Sequence, residues 1–411
     1  MTTVGQRERA TQDRVVALFR DTLGYRYLGN WFYREGNANI EPELLRDWLR
    51  AQGHDEALIG RALFALDKAA NDGSKSLYDR NRAVYELLRY GVRVRADVGE
   101  NTQTVWLIDW KRPENNDFAI AEEVTVRGAD AKANTKRPDI VLYVNGVALG
   151  VLELKRSTVS VSEGIRQNLD NQKREFIRPF FSTMQLVMAG NDTEGLRYGT
   201  IETPQKYYLS WKEEDVSPSP TPRASSLAPP PTPRASSLAP PAPSGGAWGE
   251  ASPQTPAIQT RVGIDGYGHS QPFTDPTPAS GTGAECEGGS SPSPAHGRGG
   301  WGVRAALDRQ LSQLCGKTRL LELIHDFVVF DAGAKKLCRH NQYFGVRAAQ
   351  EFIRRREGGI IWHSQGSGKS LTMVWLAKWI RENRPDARVL IVTDRTELDE
   401  QIEKVFNSSF R

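Results

Sequence analysis

Two classes of protein are excluded by what this 411-residue sequence lacks. Its three cysteines, Cys286, Cys315 and Cys338, show no Cys-x-x-Cys spacing, so they indicate free thiols rather than a disulfide framework or a zinc module. It has no run of about 18 apolar residues and no apolar signal region, so we expect a cytoplasmic protein with no membrane contact. The net charge of +4 permits a nucleic-acid partner without arguing for one.

Residues 217–304 lack the apolar periodicity of a folded domain. They contain 17 of the chain's 23 prolines, and from Pro220 the sequence Pro-Thr-Pro-Arg-Ala-Ser-Ser-Leu-Ala-Pro-Pro occurs twice in succession. Such a composition cannot bury enough apolar surface to offset chain entropy, so we predict a disordered linker. The repeated Arg-Ala-Ser leaves open a phospho-regulated or proline-recognition linker beside an inert insertion. This segment separates domains predicted at residues 1–216 and 305–411.

The first of these domains is predicted to be α/β. Apolar residues recur at helical spacing over 42–49, 56–70 and 79–90, and strand-like runs follow at 91–94, 104–110, 118–126, 140–144, 147–154, 184–188 and 207–211. A further helix is expected from about Ser160 to Pro179, after the hairpin strands. Helices before a mixed sheet, with another helix packed behind it, predict a single α/β domain.

Three residues in and beside the hairpin at 140–154 could take part in catalysis or metal binding. Asp139 begins the first strand, and Glu153 and Lys155 share a face near the end of the second. Two carboxylates with a lysine can hold a divalent metal and steady an anionic group. A two-residue turn would place Asp139 and Glu153 on opposite faces, so the site requires a bulge, for which Gly150 is the natural residue. The alternative is a charged strand edge that prevents aggregation.

A phosphate-binding loop is predicted in the third segment. A buried strand at 359–362 and a strand at 389–392 would flank a loop and an apolar helix at 371–380, as in a parallel nucleotide-binding sheet. In such loops glycines let backbone N–H groups approach the phosphates, the lysine reaches the β- and γ-phosphates, and a hydroxyl binds Mg²⁺. The loop residues are Gly366, Ser367, Gly368, Lys369 and Ser370.

Together these motifs resemble the endonuclease and motor (R) subunit of type I restriction enzymes. Pro138-Asp139 followed by Glu153-x-Lys155 resembles the PD-(D/E)xK nuclease signature. The loop at 366–370, followed by Thr393-Asp394-Arg395, is similar to motifs I and Ia of superfamily 2 helicases. The resemblance covers residues 1–212 and about 304–406, and implies a PD-(D/E)xK nuclease-like mixed sheet, a linker and the beginning of a RecA-like parallel sheet.

The resemblance also implies roles for individual residues. Asp139 and Glu153 would bind Mg²⁺, while Lys155 would position the water or stabilise the pentavalent phosphate. Gln167 stands where related nucleases begin a Gln-x-x-x-Tyr motif, although Asn171 replaces its tyrosine. Gln342 would correspond to an adenine-sensing glutamine, with a plain helix-surface glutamine as the alternative, and Ser370 would be a further Mg²⁺ ligand. The implied cofactors are ATP and Mg²⁺.

The implied partners are double-stranded DNA and the methyltransferase and specificity subunits of a restriction complex. The intact family couples ATP-driven translocation to DNA cleavage. No Asp-Glu-x-His sequence follows the loop, so we expect a truncated chain that is deficient as a motor but retains its nuclease centre. Two other functions stay open: a helicase-nuclease of DNA repair, and a degenerate, non-catalytic protein that binds DNA or partner subunits.

Overall fold

A computed structural model of the chain describes residues 3–97, 99, 101–128, 134–213 and 301–392, the side chains of 3–8 and 301–305 excepted. The predicted linker lies outside these residues apart from its last four, which begin a helix, and the segment from Thr393 also lies outside them. Among the described helices, none is both long and apolar enough to cross a bilayer.

The N-terminal region is helical, as predicted. Two of its helices begin with a side-chain cap, because Asp55 accepts a hydrogen bond from the Leu58 amide and Ser76 accepts one from the Asp79 amide. The helices are α1 (Thr3–Ala17, continued by a π-helical turn at Leu18–Thr22), α2 (Pro42–Ala51), α3 (Glu56–Ala70) and α4 (Leu77–Tyr90).

A six-stranded mixed sheet forms the centre of the domain, which confirms the predicted α/β architecture. Its order is β1-β4-β5-β6-β7-β8, with β1/β4 and β6/β7 parallel and the other pairs antiparallel. The strands are β1 (Arg26–Asn30), β4 (Phe118–Glu122), β5 (Ile140–Val144), β6 (Val147–Leu154), β7 (Leu186–Asn191) and β8 (Gly195–Gly199). A separate pair is formed by β2 (Val92–Val94) and β3 (Gln103–Val105). Helix α5 (Val161–Asn171) packs on β6 and β7.

Some strand predictions need correction. The run at 207–211 contributes only an isolated bridge between Leu209 and Tyr198, and the run at 104–110 is a strand only as far as Val105. Four strands were not predicted: β1 and β8 in this sheet, and two strands after the linker, Val328–Asp331 and Ala334–Leu337. The two edge strands are only five residues long and contain glycine, which weakens the strand pattern, and β1 is also partly exposed.

The residues after the linker begin with helices α6 (Trp301–Cys315) and α7 (Lys317–Asp326), followed by an antiparallel hairpin of β9 (Val328–Asp331) and β10 (Ala334–Leu337). Helices α8 (His340–Arg354) and α9 (Lys369–Asn383) complete this region. The two strands predicted at 359–362 and 389–392 are wrong for the described structure: neither forms, and most of their apolar side chains are exposed. A strand requires a hydrogen-bonding neighbour, and none of the described residues supplies one to either segment.

One face of α4 joins the two regions. Asn81 accepts a hydrogen bond from the Lys335 ammonium, the Tyr85 hydroxyl donates to the His325 carbonyl, and the Arg89 guanidinium pairs with the Glu382 carboxylate. These three α4 residues are spaced four apart, so they lie along one helical stripe. The residues after the linker are therefore docked on the first domain by polar contacts to β10, α7 and α9.

Candidate active site

A bulge in β6 determines which face of the sheet the Glu153 side chain lies on. Val144 pairs with Val147 and Tyr143 with Ala148, but Leu142 pairs with Gly150, so Leu149 is the inserted residue. The predicted bulge is confirmed, with the correction that Gly150 is its neighbour rather than the extra residue. A Cβ on Gly150 would lie 3.4 Å from the Leu142 Cβ, an ordinary van der Waals contact, so the packing alone does not require glycine there.

The bulge brings Asp139 and Glu153 to the same face. Ile140 pairs with Leu152, and the same register continued by one position sets Asp139 opposite Glu153. Val141 and Val151, two residues from each acid, pack in one apolar cluster, which confirms that the two strands present matching faces. Without the inserted Leu149, Glu153 would stand on the other side of the sheet.

Asp139 is held at the end of β5 by backbone contacts. Its Oδ2 accepts a hydrogen bond of 2.7 Å from the Leu154 amide, and its own carbonyl accepts one of 2.9 Å from the Glu123 amide. Pro138, the residue before it, accepts a bond of 3.0 Å from Val124. The carboxylate is thus tied directly to the strand that carries Glu153.

Glu153 is completely buried, and neither of its carboxyl oxygens has an N–H or O–H donor among the described residues; the Asp139 carboxyl lies within hydrogen-bond range and can share a proton with it. The nearest positive charge is Lys155, whose Nζ lies 3.8 Å from Glu153 Oε2 and whose side chain is 15% exposed. A buried carboxyl without partners is costly, by about 1–3 kcal/mol, and native proteins retain one only for a reason. Here both Glu153 oxygens are buried without an N–H or O–H donor in the described part of the chain.

Both acids are shifted toward their neutral forms. Burial raises the pKa of Asp139 to about 6, against the opposing effect of the Lys155 charge. Burial also raises the pKa of Glu153 well above its ordinary value, and the negative charge of Asp139 adds to this shift. Glu123 contributes smaller increases to both pKa values. Perturbed carboxylates in proximity are typical of functional sites, because a bound cation restores their charge.

Helix α5 covers the pair closely. A Cβ on Gly164 would lie 3.5 Å from both the Glu153 Cβ and the Lys155 Cγ, and 3.1 Å from the Ala189 Cβ. Gln167 follows Gly164 by three residues on the same helix and is half-buried, while Asn171 is buried with both amide atoms unpartnered. The structure gives Gln167 no contact with the acids, so its catalytic role stays a prediction.

The donor set fits a divalent cation that prefers oxygen ligands. The two carboxylates converge from adjacent strands, and the Glu153 oxygens are buried and unpartnered. Within the described ranges, no cluster of three or more His, Cys, Asp or Glu side chains is arranged to hold a metal. Any ion here would therefore take its remaining ligands from water, backbone or substrate, as Mg²⁺ commonly does.

Two glycines of the predicted phosphate-binding loop adopt left-handed backbone. Gly366 and Gly368 have φ angles of +78° and +86°, which favour glycine. The Lys369 ammonium donates to the His363 and Ser364 carbonyls at 3.2 and 3.1 Å, Ser367 donates to the Ser364 carbonyl at 2.7 Å, and Ser370, the predicted Mg²⁺ ligand, is half-buried in the first turn of α9.

Gln342 is buried against this loop. Its Nε2 donates to the Gly368 carbonyl at 2.9 Å, and its Oε1 accepts from the Arg339 amide at 2.8 Å. Both ends of the amide are therefore engaged in bracing the loop and capping α8. The predicted adenine-sensing role would require Gln342 to leave these partners, so that role stays a prediction.

Comparison with known proteins gives two family matches. Residues 5–206 match the family described as type I restriction enzyme R protein N terminus, and residues 341–411 match the SWI2/SNF2 ATPase family. The type I restriction enzyme HindI endonuclease subunit of Haemophilus influenzae is 24% identical over 367 residues, which cover 84% of this chain and 27% of that protein.

Two proteins of Methanocaldococcus jannaschii are also similar to this chain. A Methanocaldococcus jannaschii protein, named as the endonuclease subunit of type I restriction enzyme MjaIXP, is 24% identical over 345 residues, covering 80% of this chain and 27% of the relative. A second, named for MjaVIIIP, is 32% identical over 108 residues, covering 23% of this chain and 11% of that relative. The chain thus spans 27% of the length of the two relatives matched over most of it.

Proposed function

We propose, since the chain belongs to the R-subunit family of type I restriction enzymes, that its sheet carries a Mg²⁺-dependent site for cleaving phosphodiester bonds in DNA. The observation that carries the proposal is the convergence of Asp139 and Glu153 on one face through the β6 bulge, with the Glu153 oxygens buried and unpartnered. A guarded strand edge would not explain an acid that is fully buried.

Each residue of the proposed site has a separate role that follows from its position. Asp139 and Glu153 would hold the divalent ion, which when bound supplies positive charge beside the scissile phosphate and a more acidic water. The Leu154 amide orients Asp139, so the carboxylate keeps its direction without the ion. Lys155 projects from the same strand with its ammonium partly exposed, where it can stabilise negative charge on the phosphate as the bond breaks.

We further propose that the loop at 366–370 binds ATP. Its glycines have the required backbone, and α9 begins at Lys369, so the helix N-terminus would face the phosphates. In the bound state Lys369 would exchange its two carbonyl acceptors for phosphate oxygens, and the Ser370 hydroxyl would contact Mg²⁺. ATP-driven translocation, and assembly with methyltransferase and specificity subunits on double-stranded DNA, are proposals that follow from the family.

Plasmid cleavage by the purified chain with its partner subunits, in Mg²⁺ and ATP, tests the nuclease proposal. We expect Asp139→Ala and Lys155→Ala each to lower cleavage at least about 100-fold, the effect typical of losing a group that stabilises the reacting atoms. Glu163→Ala is the matched control, because this acid lies on the exposed side of α5 and pairs only with Arg166 among the contacts described. Equal cleavage by wild type and both site variants would leave a DNA-binding or partner-binding role.

A further inference from the structure

An exposed aromatic pair lies beside the carboxylate site. Phe32 and Tyr33 follow β1 and are 38% and 90% exposed, with their rings 4.5 Å apart in an edge-to-face arrangement. Together with Arg9, Asn30, Glu123 and Arg137, they line an open depression of about 530 Å³. Aromatic side chains this exposed on a soluble domain are informative when they cluster next to a functional site.

The depression borders the proposed catalytic pair. Arg137 in its wall precedes Asp139 by two residues, and the Glu123 amide donates to the Asp139 carbonyl at 2.9 Å. The charge of Glu123 also acts on both Asp139 and Glu153. A DNA strand whose phosphate lies at the two acids would therefore have an adjacent nucleotide over this surface.

The backbone that carries Phe32 is held on both sides. The Phe32 amide donates to Asn30 Oδ1 at 3.0 Å, and the Thr125 hydroxyl donates to the Phe32 carbonyl at 2.8 Å. On the other side, Arg34 lies 3.9 Å over the Trp31 ring and donates to Glu41 at 3.0 Å. The Phe32 part of the surface is therefore preorganised for a ligand, and the Tyr33 ring contacts it edge to face.

The charges of the depression are already neutralised. Arg137 pairs with Glu123 at 2.6 Å, and Arg9 pairs with Glu122 at 3.0 Å. Both atoms of the Asn30 amide are also engaged, one with Glu122 and one with the Phe32 amide. The surface therefore offers no unpaired positive charge for a phosphate and no free amide group of Asn30 for recognising a particular base. It presents flat faces, including the Arg137 guanidinium, whose carbon lies 4.2 Å from the centre of the Phe32 ring.

We propose that this depression, lined by Phe32, Tyr33 and Arg137, stacks one unpaired base of the DNA strand that is held at the carboxylate pair. The inference rests on the proposed nuclease function and adds a substrate preference to it. Stacking on aromatic faces accepts any base, because every base has a π-face and no hydrogen bond is needed. A base paired in a continuous duplex cannot use the site without first being unstacked. The chain should thus favour DNA with unpaired nucleotides near the cut.

The test measures binding of the full-length chain to labelled oligonucleotides by fluorescence anisotropy, without Mg²⁺ so that no cleavage occurs. Single-stranded and continuous duplex DNA of one sequence are compared. We expect Tyr33→Ala and Phe32→Leu each to weaken single-strand binding about tenfold, the size typical of losing one stacked base. Duplex binding should change less than twofold. Phe64→Ala on α3 is the control, because Phe64 is 69% exposed but outside the depression.

A second readout follows stacking directly. An oligonucleotide containing 2-aminopurine should lose fluorescence on binding to wild type, and Tyr33→Ala should restore at least half of that loss. Equal weakening of single-strand and duplex binding, unchanged binding by both variants, or an effect confined to assembly with partner subunits would each overturn the inference. The proposed nuclease function is tested separately, because the binding measurements require no catalysis. Unchanged cleavage by Asp139→Ala would contradict that function without affecting the binding result.

Discussion

Replacing Glu153 with leucine should stabilise the metal-free protein while abolishing cleavage. Glu153 is completely buried, both its oxygens lack partners, and burial together with the Asp139 charge raises its pKa. An unsatisfied buried polar group costs about 1–3 kcal/mol. The contacts that offset this cost are Lys155 at 3.8 Å, an ion pair worth at most about 1 kcal/mol at a partly exposed lysine, and the Asp139 carboxyl, which can share a proton with Glu153. Glu153→Leu should therefore raise the free energy of unfolding by about 1–2 kcal/mol.

Glu122 supplies the matched control from a neighbouring part of the same sheet. It is 4% exposed, but its carboxylate accepts hydrogen bonds from Arg9, Gln12, Tyr27 and Asn30 at 2.8–3.2 Å. Burial opposes these contacts, yet its pKa is lowered. Removing one member of such a buried charged network costs about 3–5 kcal/mol. Glu122→Leu should thus destabilise the protein, in the direction opposite to Glu153→Leu.

Urea unfolding in EDTA, followed by circular dichroism, measures both variants at several pH values. An acid whose pKa is raised by folding binds more protons in the folded state, so its destabilising effect grows as pH rises above its unfolded pKa of about 4.3. The advantage of Glu153→Leu should accordingly be smallest near pH 4 and larger at pH 7. A Glu153→Leu protein less stable than wild type at pH 7 would refute the reasoning.

Three further predictions concern the turn, the interface and the loop. Gly146→Ala should destabilise the protein by about 2–4 kcal/mol in urea unfolding, because φ is +82° and the new Cβ would lie 2.8 Å from the Glu41 carbonyl oxygen. Burial lowers the pKa of Lys378 to about 7, so wild-type stability should rise with pH between 7 and 10.5. Lys378→Met should raise the free energy of unfolding at pH 7, and this stabilisation should shrink as the pH rises to 10.5, by up to about 1.4 kcal/mol per pH unit. Lys369→Ala should lower affinity for a fluorescent ATP analogue at least about tenfold, since it removes a charged phosphate contact; unchanged affinity would contradict the assigned loop.

The hairpin could be predicted because its signals are local. Asn145-Gly146 fixes the turn, and the structure gives both residues positive φ, at 52° and 82°. Because strand side chains alternate between the two faces, the two acids could share a face only with a bulge. The identity of the inserted residue could not be predicted, because the alternation of side chains requires a bulge but does not say whether Leu149 or Gly150 is left without a pairing partner.

Long-range contacts account for what the sequence could not predict. Arg89 and Lys335 have no local pattern that marks them, yet each is buried and bonded to residues at least 150 positions away. The strand predictions at 359–362 and 389–392 failed for a related reason. Their apolar runs match a buried parallel strand, but a strand depends on neighbours that the described residues do not supply to them.

The β6 bulge links the stability and the chemistry of the proposed site. All eight residues of β6 are buried, so no position on this strand would expose an acidic side chain to solvent. The inserted Leu149 turns Glu153 away from the larger apolar core and toward Asp139, where its oxygens remain without protein partners. A sheet selected for stability alone would place an apolar residue there. A buried acid opposite a second acid has to be neutralised, either by a proton, as the raised pKa values indicate, or by a cation such as the proposed metal.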